Sequence, residues 1–247
     1  MDLSERGAAT ARHPWEVVRA EFFRNLIASS VDLAGVREVV DVGAGDGWFA
    51  QEMVPMLDDA AHVTCWDINY SEDDLVADLP AGVLRTATRP SARAELVTLL
   101  DVIEHVPDDR TFLRDAVAPL LTDDARLVVS VPAHPGLYSQ HDAALHHERR
   151  YTRREFLGRL GEAFTVLDAG SLFTSLLAPR VVEVAAERIG RTSPERGIGG
   201  WSRGPAVTAA VTGALRLDAR AGRLAARYGV PVPGLSLWAV CRPGAAR

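Results

Sequence analysis

Three glycines on alternate residues follow directly on a β-branched run, so that residues 39–47 read VVDVGAGDG. Glycine takes positive φ at little cost and has no Cβ, so such a turn lets a ligand approach the backbone closely. Asp41 stands just before the turn, where a carboxylate can orient amide donors or pair with a ligand's ammonium group. The pattern predicts a strand, a cofactor-binding turn and a helix, although an ordinary tight turn would look similar. A dinucleotide fingerprint needs a small residue where Trp48 stands, which argues against NAD.

A second acid, Asp67, ends the apolar run at residues 62–66. An acid at the end of the second parallel strand is placed to accept hydrogen bonds from the hydroxyls of a ribose. The alternative is a solvated aspartate at a strand end. We predict that Asp67, with Ile68 beside it, contacts the nucleoside part of a cofactor.

The block DVIEHV at residues 101–106 follows a third buried strand. His105 lies four residues beyond the end of that strand, at the edge where the cofactor is expected. Imidazole titrates near neutrality, so His105 is the first candidate for a general base. The alternative is that Glu104 and His105 cap the next helix or hold a loop near the cofactor.

A loop rich in histidine is predicted at residues 137–147, because Pro132, Pro135 and Gly136 break the chain just after the fifth strand. The loop therefore starts at the carboxyl edge of the sheet. His141 with Asp142 is the second catalytic candidate, since the carboxylate could fix the tautomer of the ring. Surface histidines are the open alternative.

Together these blocks resemble those of class I S-adenosylmethionine-dependent methyltransferases. The resemblance rests on the turn at 41–47, on Asp67 and on the block at 101–106. A further stretch, from SVPA at 130–133 to RRYT at 149–152, is similar to a subgroup of small bacterial methyltransferases with a His-Asp pair before Arg-Arg-Tyr-Thr. The resemblance covers residues 13–170.

The resemblance implies S-adenosyl-L-methionine as cofactor, S-adenosyl-L-homocysteine as product, and an in-line methyl transfer. The implied cofactor contacts are Asp41, Gly43, Ala44, Gly45, Gly47, Asp67, Ile68, Asp101 and Val102. The implied catalytic residues are His105, His141 and Asp142, and the implied substrate contacts are His147, Arg150 and Tyr151. The expected acceptor is a small molecule methylated at a hydroxyl oxygen, in bacterial specialised metabolism.

No metal is expected, although one alternative ligand set exists. Asp101, Glu104 and His105 are spaced i, i+3, i+4, and His147 could join them around one cation. A similar arrangement occurs in the family that methylates the 2′-hydroxyl of small-RNA ends, and a related block occurs in ubiquinone-pathway O-methyltransferases. Asp101 is shorter than the glutamate that those families have at this position.

The alternation of strand and helix patterns predicts an α/β fold: a Rossmann-like, doubly wound sheet of seven strands with strand 7 antiparallel. An amphipathic N-terminal helix is predicted at 13–30, and two insertion helices at 174–189 and 205–228. The predicted units are an N-terminal helical cap at 1–35, a cofactor-binding core at 36–170, a helical insertion at 171–234, and a last strand with tail at 235–247. The insertion is interpreted as a lid, with a dimer surface or a membrane platform as alternatives.

Composition agrees with a soluble cytoplasmic enzyme. The chain has 247 residues and a net charge of −6, and all 27 basic residues are arginine. This charge gives no general attraction to nucleic acid, so none is expected as a partner. The N-terminus has no apolar leader-like run, and no transmembrane segment is expected. A homodimer, a cofactor-binding protein that transfers no methyl group, and a peripheral-membrane enzyme with a prenylated or lipid acceptor remain alternatives.

Overall fold

A computed structural model describes residues 12–190 and 201–244. The polar N-terminal residues, most of the break between the two insertion helices, and the end of the tail lie outside the described residues. The strands are β1 Glu38–Val42, β2 His62–Trp66, β3 Val83–Thr86, β4 Ala94–Leu100, β5 Leu121–Pro132, β6 Phe164–Leu172 and β7 Ser236–Pro243.

Besides isolated 3-10 turns, eight helices lie before or between these strands in the described ranges. They are α1 Pro14–Ser30, α2 Trp48–Met53, α3 Glu72–Val76, α4 (consecutive turns Asp109–Thr111, Phe112–Val117 and Ala118–Leu120), α5 Gln140–Ala144, α6 Arg153–Gly161, α7 Leu177–Arg188 and α8 Pro205–Arg227. Each predicted long helix is present, with ends that differ by a few residues.

The seven strands form one sheet in the order β3-β2-β1-β4-β5-β7-β6. Strands β1 to β5 pair in parallel, while β7 runs antiparallel to both β5 and β6. The fold prediction is therefore confirmed. Because β1, β2 and β4 are parallel neighbours, the segments that follow them meet at one edge of the sheet. The glycine turn, Asp67 and the block at 101–106 all follow these three strands.

Two apolar layers cover the two faces of the sheet. On one face, Phe22, Phe23 and Leu26 of α1 belong to the same buried cluster as Trp238 of β7. On the other face, the cluster is formed by residues of α4 and α6 with inward-facing strand residues. Strands buried on both faces need continuous apolar runs, which explains why the β-branched segments were recognisable. The strands that end at the polar motifs are thus packed between two buried apolar layers.

The structure differs from the sequence prediction at two strands and two short helices. The sequence predicts the fifth strand at 126–131 and the sixth at 164–167. Strand β5 instead begins at Leu121, which pairs with Ala94 of β4. Strand β6 continues to Leu172, because it pairs with β7 along its whole length around one irregularity near Val166. The predicted loop at 137–147 contains α5, whose N-terminus is capped by Ser139. The pattern missed α3 and α5 because each has only five residues, too few to show a helical period.

Of the two insertion helices, α8 packs on β6 of the sheet and on α1. Arg216 of α8 donates to Glu21 of α1 at 2.7 Å, and the Ser175 hydroxyl donates to Asp218 at 2.6 Å. Gly170 of β6 lies so close to Trp238 that a Cβ there would be 2.5 Å from the ring. None of the helices in the described ranges is long and apolar enough to cross a membrane.

Candidate active site

The glycine turn after β1 has the backbone shape that only glycine adopts readily. Gly43, Gly45 and Gly47 have φ values of +64°, +55° and +75°. A Cβ on Gly43 would lie 2.5 Å from Cγ2 of Val102. The turn is therefore packed against the segment that follows β4, and both segments border the same crevice. Within the turn, the amides of Gly43 and Gly47 donate to backbone carbonyls at 2.7 and 3.0 Å, so hydrogen bonds of the protein itself fix the shape of the turn.

Asp67 fixes the turn as well as facing the expected ribose position. One carboxylate oxygen accepts from the Gly45 amide at 2.9 Å, and the other accepts from the Asn69 amide at 2.9 Å. The Ile68 side chain is 76% exposed beside it. An exposed apolar side chain next to a pinned acid suits a nucleoside, whose base is apolar on its faces and whose sugar carries hydroxyls. The donor set and the glycine cradle therefore fit S-adenosylmethionine.

Asp41 lies beneath the turn and is almost completely buried. The Thr98 hydroxyl donates to it at 2.5 Å. Burial raises the pKa of Asp41 to about 6, and the Thr98 hydrogen bond opposes this change only in part. Asp41 therefore supports the turn from inside the sheet.

The pKa of Asp41 predicts a pH-dependent stability. Between pH 3.8 and about 6 the native state holds a proton that the unfolded chain has released, so stability falls as pH rises through this window and is constant above it. In Asp41→Asn this loss is absent. Relative to wild type, we expect the variant to gain about 3 kcal/mol in unfolding free energy between pH 4 and pH 8. Urea denaturation across this range measures the difference. Parallel curves for the two proteins would contradict the prediction.

Helix α1 and the residue Arg12 just before it reach the same sheet edge through two arginines that sequence reasoning did not single out. Arg19 contacts Asp101 at 2.7 Å, and the Ser130 hydroxyl donates to Asp101 at 2.8 Å. Arg12 pairs with Asp46 of the glycine turn and lies over the Trp48 ring at 4.5 Å. Charged residues on an amphipathic helix usually face solvent, so only the folded chain shows that these two face the crevice.

Glu104, His105 and His147 come together beyond the end of β4. One potential ligand atom from each lies within 4.8 Å of the others. The two imidazole rings are 4.7 Å apart at their centroids and nearly perpendicular. Glu104 is fully buried, and neither of its carboxylate oxygens has a hydrogen-bond partner. Burial, and secondly the charge of Asp101, raise the pKa of Glu104 well above its usual range.

Asp142 orients His147, not His141, and this corrects the pairing suggested by the sequence. Its Oδ1 lies 3.0 Å from Nδ1 of His147, while His141 is exposed on α5. Arg150 and Arg180 also contact the Asp142 carboxylate, at 2.7 and 3.1 Å. Although burial opposes it, the His147 hydrogen bond and the two guanidinium groups hold the pKa of Asp142 well below its usual range. Because Nδ1 of His147 is hydrogen-bonded to Asp142, Nε2 is the ring nitrogen that can contact a ligand.

Arg150 and Tyr151, expected to contact substrate, are both buried in the framework under the site. Arg150 is 8% exposed and donates to the Ala133 carbonyl as well as to Asp142. The Tyr151 hydroxyl lies 2.8 Å from Asp109 and 3.1 Å from the carbonyl of Ile103. These contacts point to a structural role, because they hold the turn that presents Glu104 and His105. Asp108 caps the N-terminus of the helix that follows, so neither Glu104 nor His105 is its capping residue.

The metal-ligand set considered from sequence is brought together only in part. Asp101, which has φ of +57°, is held by Arg19 and Ser130. It does not belong to the group of close ligand atoms formed by Glu104, His105 and His147. The backbone joins the two halves of this group, since the Glu148 amide donates to the Glu104 carbonyl at 2.7 Å.

The sheet order, the antiparallel β7 and the glycine turn define a class I S-adenosylmethionine-dependent methyltransferase. The family model described as "Methyltransferase domain" matches residues 15–171, and the chain belongs to this family. The protein is thus an enzyme that uses S-adenosylmethionine. No curated protein matches the sequence.

Three solved structures illustrate how widely the fold is shared. A geranyl diphosphate methyltransferase in complex with S-adenosylmethionine has a TM-score of 0.57 at 14% identity, covering 93% of this chain and 86% of that one. The (4+2) cyclase SpnF gives 0.56 at 18% identity, covering 98% and 86%. The plantazolicin methyltransferase BpumL, in complex with a monoazolic desmethylPZN analogue and S-adenosylhomocysteine, gives 0.54 at 15% identity, covering 94% and 85%. At these identities the likeness concerns the fold alone.

Proposed function

We propose that the protein methylates a hydroxyl oxygen of a small-molecule acceptor in the cytoplasm. The observation that carries the proposal is the meeting of His105 and His147 beside Glu104 at the cofactor edge of the sheet. S-adenosylmethionine supplies an electrophilic methyl group, which the acceptor takes in an in-line displacement that leaves a neutral thioether. A hydroxyl must also lose its proton, whereas an acceptor with a free electron pair needs alignment only. The imidazoles of His105 and His147 can accept the proton that a hydroxyl acceptor must lose.

The position of helix α7 supports the proposal of a small acceptor, because α7 makes hydrogen bonds to the segment that leads to His147. Besides the contact of Arg180 with Asp142, Arg188 donates to the Gly136 carbonyl at 2.7 Å. Glu187 accepts from the Gln140 amide at 3.3 Å. We infer that α7 forms one wall of the acceptor pocket, and that α1, tied to Asp101 and Asp46, caps the cofactor. Both cysteines are free thiols, as is usual in a reducing compartment.

Methyl transfer from carbon-13-labelled S-adenosylmethionine tests the acceptor atom. The protein is incubated with matched aromatic acceptors that carry a hydroxyl group, an amine or neither, and products are identified by NMR. We expect label only as an oxygen-bound methyl group, because the two imidazoles favour acceptors that need deprotonation. Label found only on nitrogen or carbon would contradict the proposal. Cofactor binding without transfer across the panel would favour a non-transferring role, a possibility that the fold of a cyclase illustrates.

A further inference from the structure

The Glu104 carboxylate is a buried ionisable group that forms no hydrogen bond or ion pair with its neighbours among the described residues. It is fully buried, and both oxygens lack a hydrogen-bond partner. Burying a carboxylate in this way costs free energy unless it is protonated or meets a cation. The surrounding arginines do not supply one, because Arg19 contacts Asp101 while Arg150 contacts Asp142. The orphaned oxygens therefore point to a positively charged ligand.

Two imidazoles adjoin this carboxylate at a spacing that suits one ion. The ligand atoms of Glu104, His105 and His147 lie within 4.8 Å of one another. A transition-metal ion binds imidazole nitrogen and carboxylate oxygen at about 2.0–2.2 Å, so ligand atoms up to about 4 Å apart share one ion. The 4.8 Å spacing is slightly wider than this, so a bound ion would draw the three side chains together. One carboxylate with two imidazoles is a donor set typical of zinc, manganese, cobalt or iron(II), and three protein ligands leave positions open.

The surroundings of His147 match those of a metal ligand. A metal-binding histidine usually donates its second ring nitrogen to a carboxylate, which fixes the tautomer and the ring orientation. Asp142 occupies this position at Nδ1 of His147. Arg150 and Arg180 in turn hold Asp142, so its negative charge is already compensated. Glu104 is the member of this group whose two carboxylate oxygens have no hydrogen-bond partner in the described part of the chain.

We propose that Glu104, His105 and His147 bind one divalent first-row transition-metal cation, with Asp142 as the residue that positions His147. The inference departs from the sequence-based expectation of a metal-free site. It also departs from the alternative ligand set, because Asp101 is held by Arg19. The site lies where we place the acceptor hydroxyl, and a cation there would favour the ionised oxygen. With the cation bound, the two imidazoles would be its ligands, and the cation would take over from a free ring the task of promoting loss of the hydroxyl proton. Binding of the cation can be measured without the reaction.

Cobalt(II) is the probe, because its visible absorption reports imidazole and carboxylate coordination at a site of low coordination number. The full-length protein is stripped with a chelator and titrated with cobalt(II), and its melting temperature is followed in parallel. We expect one ion per chain, visible absorption bands and an upward shift of Tm. Glu104→Gln and His147→Ala should each weaken binding at least tenfold and abolish the Tm shift.

His146→Asn is the matched control, since His146 is an exposed histidine next to His147 and asparagine tolerates its φ of +57°. This variant should bind cobalt(II) as wild type does. The Tm of each stripped variant shows whether it folds, and two ligand variants keep the test decisive if one does not. Absence of cobalt(II) bands in wild type, or equal affinity in wild type and Glu104→Gln, would overturn the proposal. Cobalt(II) binding without methyl transfer would leave the metal site standing while the proposed function fails.

Discussion

Replacing Asp142 by asparagine should lower the free energy of unfolding by about 3–5 kcal/mol. The Asp142 side chain is completely buried, and its carboxylate is contacted by His147, Arg150 and Arg180. Without its charge, the buried Arg150 guanidinium loses its counter-ion and the Arg180 guanidinium keeps only Glu183, while both remain out of water. Removing one partner of a buried ionic cluster is far more damaging than removing a surface pair, because the charges left behind stay uncompensated.

Urea denaturation at neutral pH measures this loss. Asp168→Asn is the matched control, because Asp168 pairs with a single arginine, Arg223, and its side chain is 31% exposed. A pair of this kind contributes up to about 1 kcal/mol. Similar losses of unfolding free energy in both variants would show that the Asp142 cluster stabilises the fold no more than a partly exposed ion pair does.

The variant His147→Ala should lower kcat by about 10²–10⁴-fold, the usual contribution of a group that handles the proton of a reacting atom. The Kd for S-adenosylmethionine should stay unchanged, since the glycine turn and Asp67, which we assign to the cofactor, have no described contact with His147. Initial rates with the acceptor found by carbon-13 labelling give kcat, and calorimetric titration gives the Kd.

His62→Ala is the control for loss of a histidine as such. His62 is exposed and begins β2, so it lies at the sheet edge opposite the cofactor. This variant should keep wild-type kcat. A kcat of His147→Ala within about twofold of wild type would remove His147 from the reaction, whatever its role in binding a metal.

The architecture was predictable because its signals are local. The β-branched runs before Gly43 and Asp67 mark strands buried on both faces. Thr152 followed by Glu155 is the sequence pattern of a capping box, and the structure shows both of its hydrogen bonds at the start of α6. Short elements such as α3 and α5 carry no period long enough to recognise. The extra length of β6 comes from pairing with β7, some seventy residues away in sequence, which no local pattern encodes.

The site was predictable in its parts but not in its pairings. His105, Asp142 and His147 stood out by type and position, yet the sequence placed Asp142 with its neighbour His141. The structure instead joins Asp142 to His147, because the capped turn of α5 directs the carboxylate inward while His141 faces outward. Arg19 and Arg180 were missed, since nothing near them in sequence distinguishes them from surface arginines. A contact between distant segments is a property of the fold as a whole.

The bond from Arg180 to Asp142 has a consequence for evolution and for engineering. Specificity loops of enzymes are often exchanged between relatives as separate modules, while the chemistry stays in a constant scaffold. Here the insertion itself contributes a guanidinium group to the cluster that aligns His147. A graft of another enzyme's insertion that lacks this arginine would therefore also remove one of the contacts that hold the Asp142 carboxylate against His147. Exchange of this segment on its own is expected to disturb the core as well as the surface.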